Sequence, residues 1–320
     1  MTAHVNMINL QIRAEDQIAI DKATTDESTG KSVYDTNVSA NAKHYLWQSD
    51  YQTYPQGMDG NPVQFAAKLR ESLPEVTSLR LGFNEHSFNA DGTLHPQYEA
   101  FLSAAVAQGF DITFVYTSGD VQNIGNSGSE WGHSDLTNAE AFAALEENFT
   151  DMQGAWNDML DWLDANEDVA DGTYGLELMN EPAGYRHSIR ENGDGDGYTL
   201  SDFVELYTSH STTLAETIAA RTDAKILVAG WGFSGDFATL ANTVIGSDGK
   251  TALQVIREEI GDDLVWSSHL YPGWVTTDDA KTVDELTAIL EAHFGVLGDD
   301  AVLVTETNAH GTVDKFTGGD

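Results

Sequence analysis

Leu176-Glu177-Leu178-Met179-Asn180-Glu181-Pro182 reads as a buried strand that ends in a carboxylate, with an asparagine beside it and a proline that stops the pairing. A charge at the end of an apolar strand costs desolvation energy unless something uses it. The run Ala301-Val302-Leu303-Val304-Thr305-Glu306 repeats the design. Around these two runs, apolar strands alternate with amphipathic helices, the pattern of a parallel α/β fold. Working toward the N-terminus, helix Asn138–Leu163 precedes a strand at Gly175–Asn180. Before it come helix Asn61–Ser72, strand Val76–Phe83, helix Pro96–Gln108 and strand Asp111–Tyr116. Toward the C-terminus follow helix Leu200–Arg221, strand Lys225–Trp231, helix Thr251–Ile260, strand Leu264–Tyr271, helix Val283–Phe294 and strand Ala301–Glu306. A first strand is expected within Thr36–Trp47.

These elements make about seven βα steps, one short of a closed eight-stranded barrel. The expected fold class is α/β, a (β/α)8 TIM barrel lacking its last βα unit in this chain. Residues 1–35 are expected as an N-terminal extension packed on a barrel domain of residues 36–320. An extended segment such as Val5–Ile12 is the other way to fill the gap; truncation is the favoured reading, since an open sheet leaves unpaired edges.

At 320 residues with 41% apolar residues the chain can bury a sizeable core, and disorder is excluded as a description of the whole. Fifteen Lys and Arg face 52 Asp and Glu, a formal charge of −37. Such a surface repels phosphates and anionic lipids, so neither nucleic acid nor a membrane is expected as a partner. It suits solution at high salt, where self-repulsion is screened, and an acidic secreted protein explains it equally. No cysteine is present, which removes disulfides, thiolate metal sites and cysteine nucleophiles. Met1–Asn6 shows no basic region followed by an apolar run, so no Sec-type signal is visible. No apolar stretch approaches membrane-spanning length.

Period-two alternation places Glu177, Met179 and Glu181 on one strand face. In a barrel the strand ends carry the chemistry, and Glu181 and Glu306 both fall there, while Glu177 lies deeper as a structural acid. Two rim carboxylates are what cleavage of a glycosidic bond requires. One gives a proton to the leaving oxygen, and the other attacks the anomeric carbon or activates water. Arg80, in the apolar strand Leu79-Arg80-Leu81-Gly82-Phe83, suits holding a carboxylate ionised through a charge-assisted hydrogen bond. His269 and Tyr271, in Ser267-Ser268-His269-Leu270-Tyr271-Pro272, share the face turned toward the cleft. Trp131, Trp231 and Trp274 follow strands and suit stacking on sugar rings, with Trp231 favoured by its strand-end position.

Asn180-Glu181-Pro182, His269-x-Tyr271, the strand arginine Arg80 and the late-strand Glu306 occur together in an order that resembles clan A retaining glycoside hydrolases, most closely family 5, the cellulase-like group. The resemblance covers residues 36–310. It implies Glu181 as acid/base, Glu306 as nucleophile, and Asn180 as the ligand of the sugar 2-hydroxyl. Arg80 and Tyr271 would orient the nucleophile. The implied activity is a retaining β-glycosidase acting on a β-linked polysaccharide or oligosaccharide, of endo-β-1,4-glucanase or mannanase type, as a secreted monomer with no cofactor. Cytoplasmic residence stays open. The chain departs from the family at the end of strand three, where Phe114-Val115-Tyr116-Thr117-Ser118 lacks a histidine, and in the absence of an eighth strand with its aromatic.

In Glu191-Asn192-Gly193-Asp194-Gly195-Asp196-Gly197, oxygen donors alternate as in calcium loops. A solvated acidic turn is the simpler reading, and calcium enters only as a structural ion. Two rival functions remain. One is a non-catalytic carbohydrate-binding barrel. The other is a metal-dependent barrel hydrolase using His44, His86, His269 and His310, against which no HxH pair marks the end of an early strand.

Overall fold

The computed structural model describes residues 7–9, 61–117, 136–187, 197–270 and 283–306. They divide into two units, Met1–Gly119 with Asp151–Leu176, and Asp120–Thr150 with Glu177–Asp320.

In the first unit, β1 (Met7–Asn9), α1 (Pro62–Ser72), β2 (Ser78–Phe83), α2 (Pro96–Ala107) and β3 (Asp111–Tyr116) follow in order. The Asn61 side chain accepts the Gln64 N–H at 3.0 Å and Pro62 opens the first turn, which sets the start of α1. All six residues of β2 are buried, as expected for an internal parallel strand with both faces covered. It pairs in parallel with β1 over Ser78–Arg80 and with β3 over its whole length. Helix α3 (Asn138–Ala165), which belongs to this unit from Asp151 on, and α4 (Glu167–Asp171) lead to β4 (Thr173–Glu177). Phe83 sits edge-on to Trp156 at 4.7 Å and to Phe114 and Tyr116 at 6.4 and 6.1 Å, forming an aromatic core.

The second unit continues with α5 (Ala183–His187), α6 (Leu200–Ala219), β5 (Lys225–Ala229), α7 (Phe237–Asn242), α8 (Ala252–Ile260), β6 (Leu264–His269), α9 (Val283–Phe294) and β7 (Val302–Glu306). Reciprocal capping boxes start α6, through Thr199 and Asp202, and α8, through Thr251 and Gln254. Strands β5, β6 and β7 pair in parallel. Sequential parallel strands joined by helices make this a barrel of the (β/α)8 class, with seven strands among the described residues.

Three expectations need adjustment. The strand expected to run to Asn180 ends at Glu177; the Leu178 N–H still donates to Leu227 of β5, and the chain then turns ahead of Pro182. The strand expected to reach Trp231 ends at Ala229, where Gly230 opens a tight turn. The first strand found is Met7–Asn9, inside the Val5–Ile12 segment. Thr36–Trp47 and the boundary expected at residue 35 lie outside the described residues. No helix among the described residues is long and apolar enough to cross a membrane.

One buried group in the second unit makes stability depend on pH. The His210 ring, on α6, stacks on Phe149 with centroids 3.6 Å apart, and its Nδ1 lies 2.6 Å from the Tyr185 hydroxyl. Burial pushes Tyr185 well above the usual tyrosine range, so its hydroxyl stays protonated beside Nδ1, the tautomer of the ring setting which of the two donates. Burial also lowers His210 from 6.5 to about 4. Between those values the unfolded chain takes up a proton that the folded chain refuses, so stability falls as the pH drops through that window. Urea unfolding of the wild type and of His210→Gln, at about pH 7 and about pH 4.5, is expected to show roughly 2–3 kcal/mol more acid destabilisation in the wild type. Identical pH trends would mean that His210 is not buried as the neutral form.

Candidate active site

β6 and β7 end side by side. Their pairing is regular through Ser268 and Val304, and then a bulge sets His269 opposite Glu306, with Thr305 as the extra residue. The Leu270 N–H donates to the Glu306 carbonyl at 2.9 Å and fixes the end of the ladder. Glu181 arrives from the turn after β4. His269 Nδ1 lies 2.9 Å from Glu181 Oε1 and 3.5 Å from Glu306 Oε2. A carboxylate oxygen of Glu181 and one of Glu306 are within 4.8 Å of each other. The imidazole is fully enclosed, and the two carboxylates keep 15% and 8% of their surface. Two acids thus converge on one buried ring, each with a narrow opening to solvent.

Beneath them lies a polar layer. The Ser267 hydroxyl donates to Glu177 Oε1 at 2.6 Å and is 2.7 Å from the Thr305 hydroxyl. Glu177 is fully buried, in keeping with the structural role expected for it. Ser267 and Thr305 were not legible as members of this layer, because no local pattern pairs a serine of β6 with a threonine of β7; the bulge then brings Glu306 to the same face.

Glu181 does not continue the strand alternation expected of it. Its φ is 40°, and its N–H donates to the Ser234 hydroxyl oxygen at 3.2 Å. Ser234 lies in Gly230-Trp231-Gly232-Phe233-Ser234-Gly235-Asp236, whose glycine spacing was the one sequence signal for it.

Asn180, next to Glu181, is buried. Trp231 is only 2% exposed and sits edge-on to Tyr207 at 5.8 Å, so the face expected to stack on a sugar is turned into the core. Arg80 belongs to the first unit, fully buried at the third position of β2. In that unit, the Tyr116 hydroxyl donates to Glu85 Oε2 at 2.9 Å. Tyr271, Trp131, Trp274 and the loop expected as a calcium site through Asp196 lie outside the described residues, as do His44 and His310. His86 is exposed in the first unit, near Glu85. Donor atoms of Glu181, His269 and Glu306 lie close enough together to share a cation as well as to act on a sugar.

No protein-family model and no curated protein matches the sequence. Solved structures do. A broad-specificity endoglucanase of glycoside hydrolase family 5 from Clostridium acetobutylicum aligns at 12% identity with a TM-score of 0.50, over 81% of this chain and 73% of that one. A family 5 xyloglucanase from Paenibacillus pabuli aligns at 15% identity and a TM-score of 0.47, over 79% and 73%. For a family 5 endoglucanase from Clostridium longisporum the figures are 11% and 0.46, over 75% of this chain and 64% of that one, less than two thirds of its length. What the chain shares with the endoglucanase from Clostridium acetobutylicum is the fold, the (β/α)8 barrel.

Proposed function

We propose that the chain is a retaining β-glycoside hydrolase. The observation that carries this reading is the pair Glu181 and Glu306, with oxygens within 4.8 Å and one buried histidine between them. Retaining enzymes hold their carboxyl groups about 5–5.5 Å apart, whereas inverting ones need about 6.5–9.5 Å to admit a water. The short separation supports retention.

In the first step the ionised Glu306 attacks the anomeric carbon, the glycosidic C–O bond breaks, and Glu181 gives its proton to the departing oxygen. In the second, Glu181 takes a proton from water, which attacks the same carbon and releases Glu306. When Glu181 is ionised it can only accept, so His269 Nδ1 carries the hydrogen between them. Asn180 is adjacent to the proton donor and suits binding of the sugar 2-hydroxyl. Substrate-binding roles for Arg80 and Tyr271 rest on the resemblance alone. The substrate proposed is a β-linked polysaccharide or oligosaccharide, β-1,4-glucan or mannan first.

The test is release of reducing ends from β-glucan, mannan and xylan, with the anomer first formed read by proton NMR. The β-anomer is expected first; an initial α-anomer would overturn retention. Binding of these polysaccharides without any release of reducing ends would instead favour a carbohydrate-binding barrel. Because the three donors could also share a cation, turnover is measured with and without EDTA, and unchanged turnover is expected.

A further inference from the structure

We infer that Ser234 is a positioning residue that sets the backbone of the proton donor. The inference rests on the role proposed for Glu181. Among the described residues, the non-glycine positions with positive φ are Glu181, at 40°, and Ser234, at 59°. Side chains disfavour that region, and such residues gather where a site over-determines them. These two are joined directly, the Glu181 N–H donating to Ser234 Oγ across 53 residues of sequence.

The loop after β5 is shaped around that contact. Ser234 is fully buried. Trp231 and Asp236 close the loop through a backbone hydrogen bond of 3.2 Å, and Asp236 caps α7 by accepting the Thr239 N–H at 2.9 Å. A side chain at Gly230 would come within 3.0 Å of the Phe237 ring. At Gly232, where φ is +71°, it would come within 2.6 Å of Arg186 Cδ. Arg186 belongs to α5, which follows Glu181 and Pro182 immediately. The β5 loop therefore meets the segment carrying the proton donor twice, once through Arg186 and once through the Ser234 hydroxyl. His269 orients the head of Glu181 at 2.9 Å, and Ser234 holds its root.

Without the hydroxyl, the Glu181 N–H loses the acceptor it has among the described residues, and φ at 181 can relax toward negative values. The carboxyl then moves from the leaving oxygen, and proton transfer is the step that suffers. Glycosides whose aglycone leaves without protonation are spared. The experiment measures kcat/KM, which reports glycosylation, for Ser234→Ala and Ser234→Gly on a cello-oligosaccharide and on 2,4-dinitrophenyl β-cellobioside. Glycine keeps the backbone conformation and lacks only the acceptor, so it separates the hydroxyl from the loop. Both variants are expected to lose about 10–100-fold on the oligosaccharide, the scale of a small misplacement of a reacting group. On the dinitrophenyl substrate a loss under about threefold is expected, since no general acid is needed there.

Glu181→Gln is run beside them. If it shows the split between substrates and the Ser234 variants lose equally on both, or lose nothing, the positioning role is overturned and the role of Glu181 stands. If Glu181→Gln shows no split, the reading of Glu181 itself fails.

Discussion

Glu306→Ala is expected to lower turnover of a β-1,4-glucan by at least about 10⁴-fold, the scale seen when the nucleophile of a covalent mechanism is removed. The backbone of Glu306 accepts the Leu270 N–H whatever its side chain, so β7 keeps its pairing and the loss reflects chemistry. A second readout separates a missing nucleophile from a damaged fold. With azide and 2,4-dinitrophenyl β-cellobioside, the small anion enters the space vacated by the carboxylate and attacks the anomeric carbon from that side. The product expected by NMR is the α-glycosyl azide. Turnover within about tenfold of wild type would remove Glu306 from the mechanism.

Glu181→Gln is expected to cost about 10²–10⁴-fold in kcat/KM on the same glucan, the range for loss of general acid catalysis. With the dinitrophenyl glycoside, glycosylation proceeds and the covalent intermediate waits for a water that has lost its base. Azide needs no base, so it should restore kcat and give the β-glycosyl azide. The two variants thus yield azides of opposite configuration. An α-product from both would mean that the roles of Glu181 and Glu306 have not been distinguished correctly.

Much of the fold was legible because burial writes itself into local composition. Asp111–Tyr116 and Val283–Phe294 begin and end where their apolar patterns do, bounded by turns. Glu181 shows where that kind of reading stops. Alternation in Leu176–Glu181 continues to the eye, but side chains alternate only while the backbone stays in the ladder, and the ladder ends at Glu177. Glu181 still reaches the site, by a left-handed turn rather than by strand geometry. Its contact with His269 spans 88 residues and no local pattern encodes it. The resemblance to family 5 set both residues in one site, through the order of motifs, without pairing them. Ser234 had a weaker signal. Glycines flanking it marked a tight loop, but a loop says nothing about which distant N–H its hydroxyl will meet. Trp231 misled for a related reason: a strand-end aromatic suits a sugar platform or a core, and here the turn at Gly230 carries the indole inward.

The bulge between β6 and β7 has a consequence for how tightly the centre is bound to its foundations. In a regular pleat successive side chains point to opposite sides, so Val302 and Val304, two residues apart, share the face turned to solvent. The bulge suspends that rule for one step, so Thr305 and Glu306, neighbours in the chain, are both buried on the inner side. One serves the hydroxyl layer around Ser267 and Glu177; the other serves the acid pair. Reactivity and scaffold therefore share a single peptide link. A sequence change at Thr305 that restored simple alternation would rotate the Glu306 carboxylate out of register with Glu181.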